Sequence, residues 1–254
     1  MASIMKSANR LQKALTSGSG VSFGAWQMFP GTNLSRFIAR AGFDWVCVDC
    51  EHGNMAGAGS SNYVSEYCSA VIGLLLLRTS ADVSTFLITD AQMHESVAAI
   101  ASCDVSPIVR IPDNQGWMVK RALDSGAHGI VVPLLYTADD ARKLVQSAKF
   151  PPVGQRGYGS PFSMGMFDVQ GGMSGLQYLQ QSNESLVTIV QIETREAFEN
   201  VRFLDNFFWS PMWFTYALSA NVCARIRSMQ LRKWTGSMYC SLDHTILAIT
   251  LGIR

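Results

Sequence analysis

Between Val21 and Gln191 the chain alternates short apolar, β-branched runs with stretches whose apolar residues recur at a helical period. The runs predict strands at Val21–Trp26, Asp44–Asp49, Pro107–Ile111, Gly129–Leu135 and Ser185–Ile192. The stretches between them predict helices at Asn33–Ala41, His94–Cys103, Trp117–Ser125 and Ala138–Phe150, with Asn33 as the first N-cap and Gly42 as its stop. Apolar strands joined by helices are βαβ units, which build parallel sheets of two kinds, doubly wound or closed into a barrel. No G-x-G-x-x-G follows the first run, so a dinucleotide-binding sheet loses its main support. Asp49, His52, Arg110, Gln191 and Glu193 all fall at or just past the C-terminal end of a predicted strand, where a barrel gathers its reactive groups. The expectation is an α/β fold, a TIM-type (β/α) barrel occupying residues 1–200 and incomplete after its fifth strand.

Two segments break the alternation. Residues 56–89 form an unpatterned insert rich in Ser, Gly and Leu, and its run Val71–Leu77 is far shorter than the ~20 residues a bilayer requires. Residues 201–254 are rich in Trp, Phe and Met and show no strand–helix rhythm, so they read as a divergent tail of no recognisable fold. Both have the texture of intron-derived or frameshifted sequence.

Composition narrows the partners. A net charge of +1 over 254 residues supplies no basic field for a nucleic acid, so small molecules are expected, with neither nucleic acid nor membrane. Six cysteines without paired spacing suit a reducing compartment. Strand alternation sends Cys47 and Cys50 of the one C-x-x-C to opposite faces. The first twenty residues lack the apolar run of a secretory signal and suit a short surface helix; a cytoplasmic location is expected, with a mitochondrial transit segment as the weaker alternative.

The sharpest candidate chemistry lies in Asp44–Gly53. Asp49 precedes His52 by three residues where strand gives way to loop, so its carboxylate is expected to fix one ring nitrogen and leave the other free as a base. A structural histidine is the alternative. Arg110 stands inside an apolar run, where a guanidinium needs an anion: a substrate carboxylate or enolate, or a structural ion pair. Gln191 and Glu193 share a strand face and offer oxygen ligands to a hard divalent cation, although Glu193 could equally open a helix. Gly154–Gly159 is a glycine-rich loop around Arg156 whose amides could approach an anion, but it lacks the Lys-Ser/Thr of a nucleotide-binding loop. His94, His128 and His244 have no such company and are expected to be structural.

Taken together, Gly24–Trp26, Ala41–Trp45 running into Val48–His52, Val109–Pro112, Leu123–Ala127 with Val131–Pro133, Lys149–Gly159 and Val190–Thr194 resemble the HpcH/HpaI aldolase family of the phosphoenolpyruvate/pyruvate barrel superfamily. The resemblance covers about residues 18–55 and 90–201. It implies His52 as catalytic base oriented by Asp49, Arg110 as stabiliser of a pyruvate enolate, Gln191 as a contact to the 2-oxo acid, and Glu193 as one of two carboxylate metal ligands. It further implies reversible cleavage of a 4-hydroxy-2-oxo acid to pyruvate and an aldehyde, with Mg2+, Mn2+ or Co2+ as Lewis acid, in a homo-oligomer. The family's second metal-binding aspartate has no counterpart: only Asp205 and Asp243 are acidic after Asn200, neither in the matching setting. Two alternatives follow: a catalytically impaired chain lacking that ligand, and a citrate-lyase-like enzyme acting on an acyl-CoA, disfavoured by the Asp-x-x-His at the second strand.

Overall fold

A computed structural model describes residues 3–17, 22–53, 55, 89–168, 171–191, 193–194 and 196–197. The readings made above for residues 56–89 and 201–254 lie outside these, apart from Thr89, which opens a helix. Five strands form one parallel sheet: β1 (Gly24–Gln27), β2 (Trp45–Asp49), β3 (Ser106–Arg110), β4 (Gly129–Val132) and β5 (Val187–Val190). Their spatial order is their chain order, β1-β2-β3-β4-β5. A doubly wound sheet reverses direction at a switch point, whereas a barrel adds each strand beside the last. The arrangement is therefore that of consecutive barrel strands, and among the described strands β1 and β5 are edges that do not meet.

The strands form where the sequence is continuously apolar, because parallel strands are covered on both faces. Every residue of β3 and β4 is buried. Helices α3 (Thr32–Ala39), α4 (Thr89–Ala101), α5 (Gly116–Asp124) and α6 (Ala138–Ala148) supply the connections. The N-cap expected at Asn33 is displaced: α3 starts at Thr32 after Gly31, whose φ of 136° is open to glycine and strained for other residues, and no side chain caps it. Helix α6 has the capping box that Thr137 and Asp140 allow. A helix not expected from the pattern, α7 (Gly175–Ser185), precedes β5 and opens on a second box, Ser174 with Gln177.

The N-terminal segment is not a surface helix. It folds as α1 (Ile4–Ala8) and α2 (Arg10–Ser17), and Met5, Leu11 and Leu15 join the core. Asn9, between them, is fully buried: its Nδ2 donates to the carbonyls of His128 and Ser185 at 2.8 Å each, and its Oδ1 accepts from Gln12 N at 3.1 Å. His128 and Ser185 stand just before β4 and β5, so Asn9 ties the N-terminal helices to the N-terminal edge of the sheet. His128 itself is buried, stacked on Phe167 at 4.1 Å, with Nε2 at 2.8 Å from Met166 O and Nδ1 at 3.1 Å from Ser106 Oγ. Burial lowers its pKa to about 4, so it stays neutral, as expected of a structural histidine. No helix among the described residues is long and apolar enough to cross a membrane.

Replacing Asn9 by Ala removes its bonds to both carbonyls, leaving the His128 carbonyl with the Val187 N–H alone and the Ser185 carbonyl without the amide that now donates to it. The Asn9→Ala chain should lose about 1–3 kcal/mol of unfolding free energy, measured by urea titration; a midpoint equal to wild type would contradict the tie described here.

Candidate active site

The C-terminal edge of the sheet gathers charge. Strands β2 and β3 pair in a register that sets Asp49 directly beside Arg110, each the last residue of its strand. Arg110 Nε donates to Asp49 Oδ1 at 2.9 Å and Nη2 donates to Oδ2 at 2.5 Å, a bidentate pair with Asp49 fully buried. The same Oδ1 accepts the backbone N–H of Glu51 at 3.0 Å and of His52 at 3.1 Å, which folds the chain beyond β2 into a turn over the pair. Gly53 closes that turn: a Cβ there would lie 2.2 Å from Asp49 O, so a side chain does not fit. Arg110 also lies over the Trp26 ring, its Cζ 4.6 Å from the centroid.

Glu51, which the sequence did not single out, turns inward. Its side chain is 15% exposed, with Oε2 at 3.1 Å from Arg110 Nη1 and Oε1 at 3.5 Å from His52 Nε2. The signal available was alternation: Asp49 and Glu51 are two apart at a strand end. His52 is 67% exposed at the sheet's edge. The contact expected between the Asp49 carboxylate and the His52 ring is replaced. Asp49 spends its oxygens on Arg110 and on backbone amides, and Glu51 is the carboxylate beside the ring.

The charges shift one another. Burial would raise the Asp49 pKa, but the hydrogen bonds from Arg110 and from the His52 and Glu51 amides, with the Arg110 charge, hold it below its ordinary value. Glu51 goes the other way: burial raises it, and the Glu193 and Asp49 charges add to that against the opposing pull of Arg110 and His52. Glu193 therefore stands close enough to Glu51 to be felt, and its Oε2 accepts the Leu134 N–H at 3.2 Å. Leu134 has a φ of 52°, a left-handed conformation that costs a non-glycine residue energy and concentrates at functional sites. Gln191 is buried, its N–H bonded to Val132 O at 2.9 Å, and its side-chain Oε1 has no hydrogen-bond partner among the described residues.

The structure thus brings Asp49, His52 and Arg110 together at one sheet edge, with Gln191 and Glu193 just past β5 and the Glu193 carboxylate reaching Leu134 beyond β4. Other features flagged in the sequence stand elsewhere. Arg156 is buried in its glycine-rich loop, paired with Asp124 at 2.9 Å and lying over the Phe150 ring, so it serves packing. Cys47 and Cys50 are free thiols with pKa values raised by burial, Cys50 to about 12, and neither is poised for redox or metal chemistry.

A parallel sheet of sequential strands that collects an arginine, a histidine and carboxylates at its C-terminal edge has the architecture of a (β/α)-barrel enzyme. Residues 86–204 match the model of the HpcH/HpaI aldolase/citrate lyase family, and the resemblance read from the sequence is borne out. The chain is 27% identical over 193 residues to a hydroxypyruvate/pyruvate aldolase of Roseobacter denitrificans, covering 76% of this chain and 60% of that protein. It is 26% identical over 189 residues to a 5-keto-4-deoxy-D-glucarate aldolase of Escherichia coli, covering 74% and 59%. Among solved structures, an HpcH/HpaI aldolase/citrate lyase family protein from Burkholderia cenocepacia superposes with a TM-score of 0.55 at 26% identity, over 76% of this chain and 63% of that one. Macrophomate synthase, at 23% identity and a TM-score of 0.56, shares the fold over 81% of this chain and 58% of its own. The chain thus spans about 60% of the length of the curated relatives it matches.

Because the folded pKa of Asp49 lies below its ordinary 3.8, its stabilising contribution is complete above that value and is lost as pH falls through the folded value. Asp49→Ala, which leaves Arg110 buried without its main partner, should lower stability by about 3–5 kcal/mol at pH 7. The difference from wild type should shrink below pH 4, in urea titrations at both pH values. A loss that stays constant from pH 7 to pH 3 would contradict the pairing.

Proposed function

We propose that this chain carries the acid–base and enolate-binding part of a carbon–carbon lyase that cleaves a 4-hydroxy-2-oxo acid reversibly to pyruvate and an aldehyde. The observation that carries the reading is Arg110. The Asp49 carboxylate fixes two of its five N–H donors, Glu51 lies within ion-pair range of a third nitrogen, and the guanidinium is thereby held at the sheet edge for an anion. An arginine so tightly held by acidic partners would be a plain structural pair were it not beside an exposed histidine, a strained loop and a buried amide oxygen without a partner.

In this reading His52 takes the proton from the C4 hydroxyl, the C3–C4 bond breaks, and the aldehyde leaves with the former hydroxyl oxygen as its carbonyl. The electron pair passes into the pyruvate enolate, whose oxygen faces the Arg110 guanidinium, a fixed positive charge that needs no reorganisation as the anion develops. His52 then returns a proton to C3, completing pyruvate. Gln191 contacts the 2-oxo acid.

A divalent cation, Mg2+, Mn2+ or Co2+, fits the donors in part. The buried, unpartnered Gln191 Oε1 and the Glu193 carboxylate, whose charge already presses on Glu51, are oxygen ligands of the kind a hard cation takes. Glu193 would supply one carboxylate, and among the described residues no three His, Cys, Asp or Glu side chains are gathered to complete the set. When bound, the cation would polarise the 2-oxo group as a Lewis acid. Only Asp205 and Asp243 are acidic after Asn200, neither in the setting of the family's second carboxylate ligand, and this sequence feature favours a second reading, a chain of reduced turnover. The Asp-x-x-His at the second strand favours aldolase chemistry over an acyl-CoA lyase.

Pyruvate release from a 4-hydroxy-2-oxo acid, followed by coupling to lactate dehydrogenase, should vanish on exhaustive chelation and return with one of these cations. His52→Ala should lower kcat by about a hundredfold or more. Turnover undiminished by chelation, or trapped by borohydride, would contradict the reading in favour of a lysine imine.

A further inference from the structure

The placement of Glu51 assigns it a role expected of Asp49, two residues before it. We propose that Glu51, rather than Asp49, is the positioning residue for His52, holding the proton of Nε2 toward Oε1 and leaving the lone pair on Nδ1 to act as base. The inference rests on the lyase reading for its consequence, but the contact itself is independent of any reaction.

Three observations carry it. Asp49 is committed: its Oδ1 accepts from Arg110 Nε and from the amides of Glu51 and His52, and its Oδ2 accepts from Arg110 Nη2. No bond links either oxygen to the His52 ring. Glu51 has Oε1 at 3.5 Å from His52 Nε2 and Oε2 at 3.1 Å from Arg110 Nη1, so one side chain spans the candidate base and the candidate enolate stabiliser. Finally, neither contact is aligned as a hydrogen bond: both lie within ion-pair range, and the buried Oε2 has no hydrogen-bond partner among the described residues, so Glu51 acts on the ring through its charge and its reach rather than through a bond already formed. A carboxylate beside a histidine both selects the tautomer and stabilises the imidazolium formed when the ring takes a proton. Glu51 would do both at Nε2, while the Asp49–Arg110 pair fixes the turn that presents the ring.

The test uses the full chain, with ring nitrogens labelled and the His52 signals assigned by difference against His52→Asn. Wild type should show His52 neutral with the proton on Nε2. Glu51→Ala should give a mixed tautomer population and a kcat about 10- to 100-fold lower, the range for losing a group that orients a working side chain, with KM changed less than threefold. The isosteric Glu51→Gln, whose amide oxygen can still accept the Nε2–H, should keep the tautomer and recover part of kcat. It also covers the case in which the alanine chain fails to fold. A wild-type ring protonated on Nδ1, or a Glu51→Ala ring spectrum identical to wild type, overturns the assignment. A wild-type chain with the Nε2–H tautomer and no lyase activity would support the contact and count against the proposed function alone.

Discussion

The site depends on one buried ion pair. Asp49 and Arg110 are the final residues of adjacent parallel strands, and the β2–β3 register brings them side by side. Burying either alone would cost several kcal/mol, and breaking such a pair leaves an uncompensated charge, so the two hold each other in place. The consequences spread outward. The Asp49 carboxylate gathers the amides of Glu51 and His52, and the resulting turn presents a carboxylate inward and an imidazole outward. The guanidinium, clamped on that side and resting on Trp26, can face a substrate only with the donors that remain. A pair like this contributes little net stability beyond what apolar packing would give. Its value lies in geometry: a guanidinium fork has one orientation against a carboxylate, which a lysine would not reproduce.

The two edges of the sheet divide the work. At the N-terminal edge Asn9 binds backbone carbonyls before β4 and β5, Ser106 and His128 bond each other, and Met5 and Leu11 fill the core beneath. Every polar group named there is satisfied by another part of the chain, as a structural layer requires. The C-terminal edge is left unfinished by comparison, with an unpartnered amide oxygen on Gln191, a left-handed Leu134 and mutually repelling carboxylates in Glu51 and Glu193. Unpartnered buried polar atoms occur elsewhere among the described residues, on Gln12 and Arg156, and Asp104 is left-handed too; what sets the C-terminal edge apart is their company there, the Arg110 guanidinium, the His52 ring and the carboxylates.

The strands were legible because parallel, two-face burial imposes continuous apolar runs, and the polar residues that interrupt such runs stand out by their cost. Arg110 and Asp49 were visible for that reason. Their partnership was not: register is a tertiary property, and Asp49 lies sixty-one positions from Arg110 in the chain. The sequence offered His52 as the nearer partner, by loop geometry alone, and Glu51 was passed over as a charged residue in a loop. The N-terminal helices read as surface because their apolar residues are few, while much of what anchors them is polar: buried Asn9 and Gln12, and the bonds from Ser3 and Met5 to Gln181 and from Arg10 to Ser106. Helix α7 was missed because its amphipathic signal is weak and its start is marked by polar capping residues rather than an apolar stripe.

The central claim is that Arg110, held by Asp49 at the sheet edge, stabilises a pyruvate enolate. Deuterium exchange into the methyl group of pyruvate reads that step without an aldehyde partner. In D2O with Mg2+, Mn2+ or Co2+ present, the wild-type chain should exchange these protons well above the buffer rate, followed by proton NMR. Arg110→Lys should exchange markedly more slowly even with its charge retained, because a point charge does not reproduce the held fork. Exchange by the wild-type chain at the buffer rate, or by Arg110→Lys at the wild-type rate, would contradict the account.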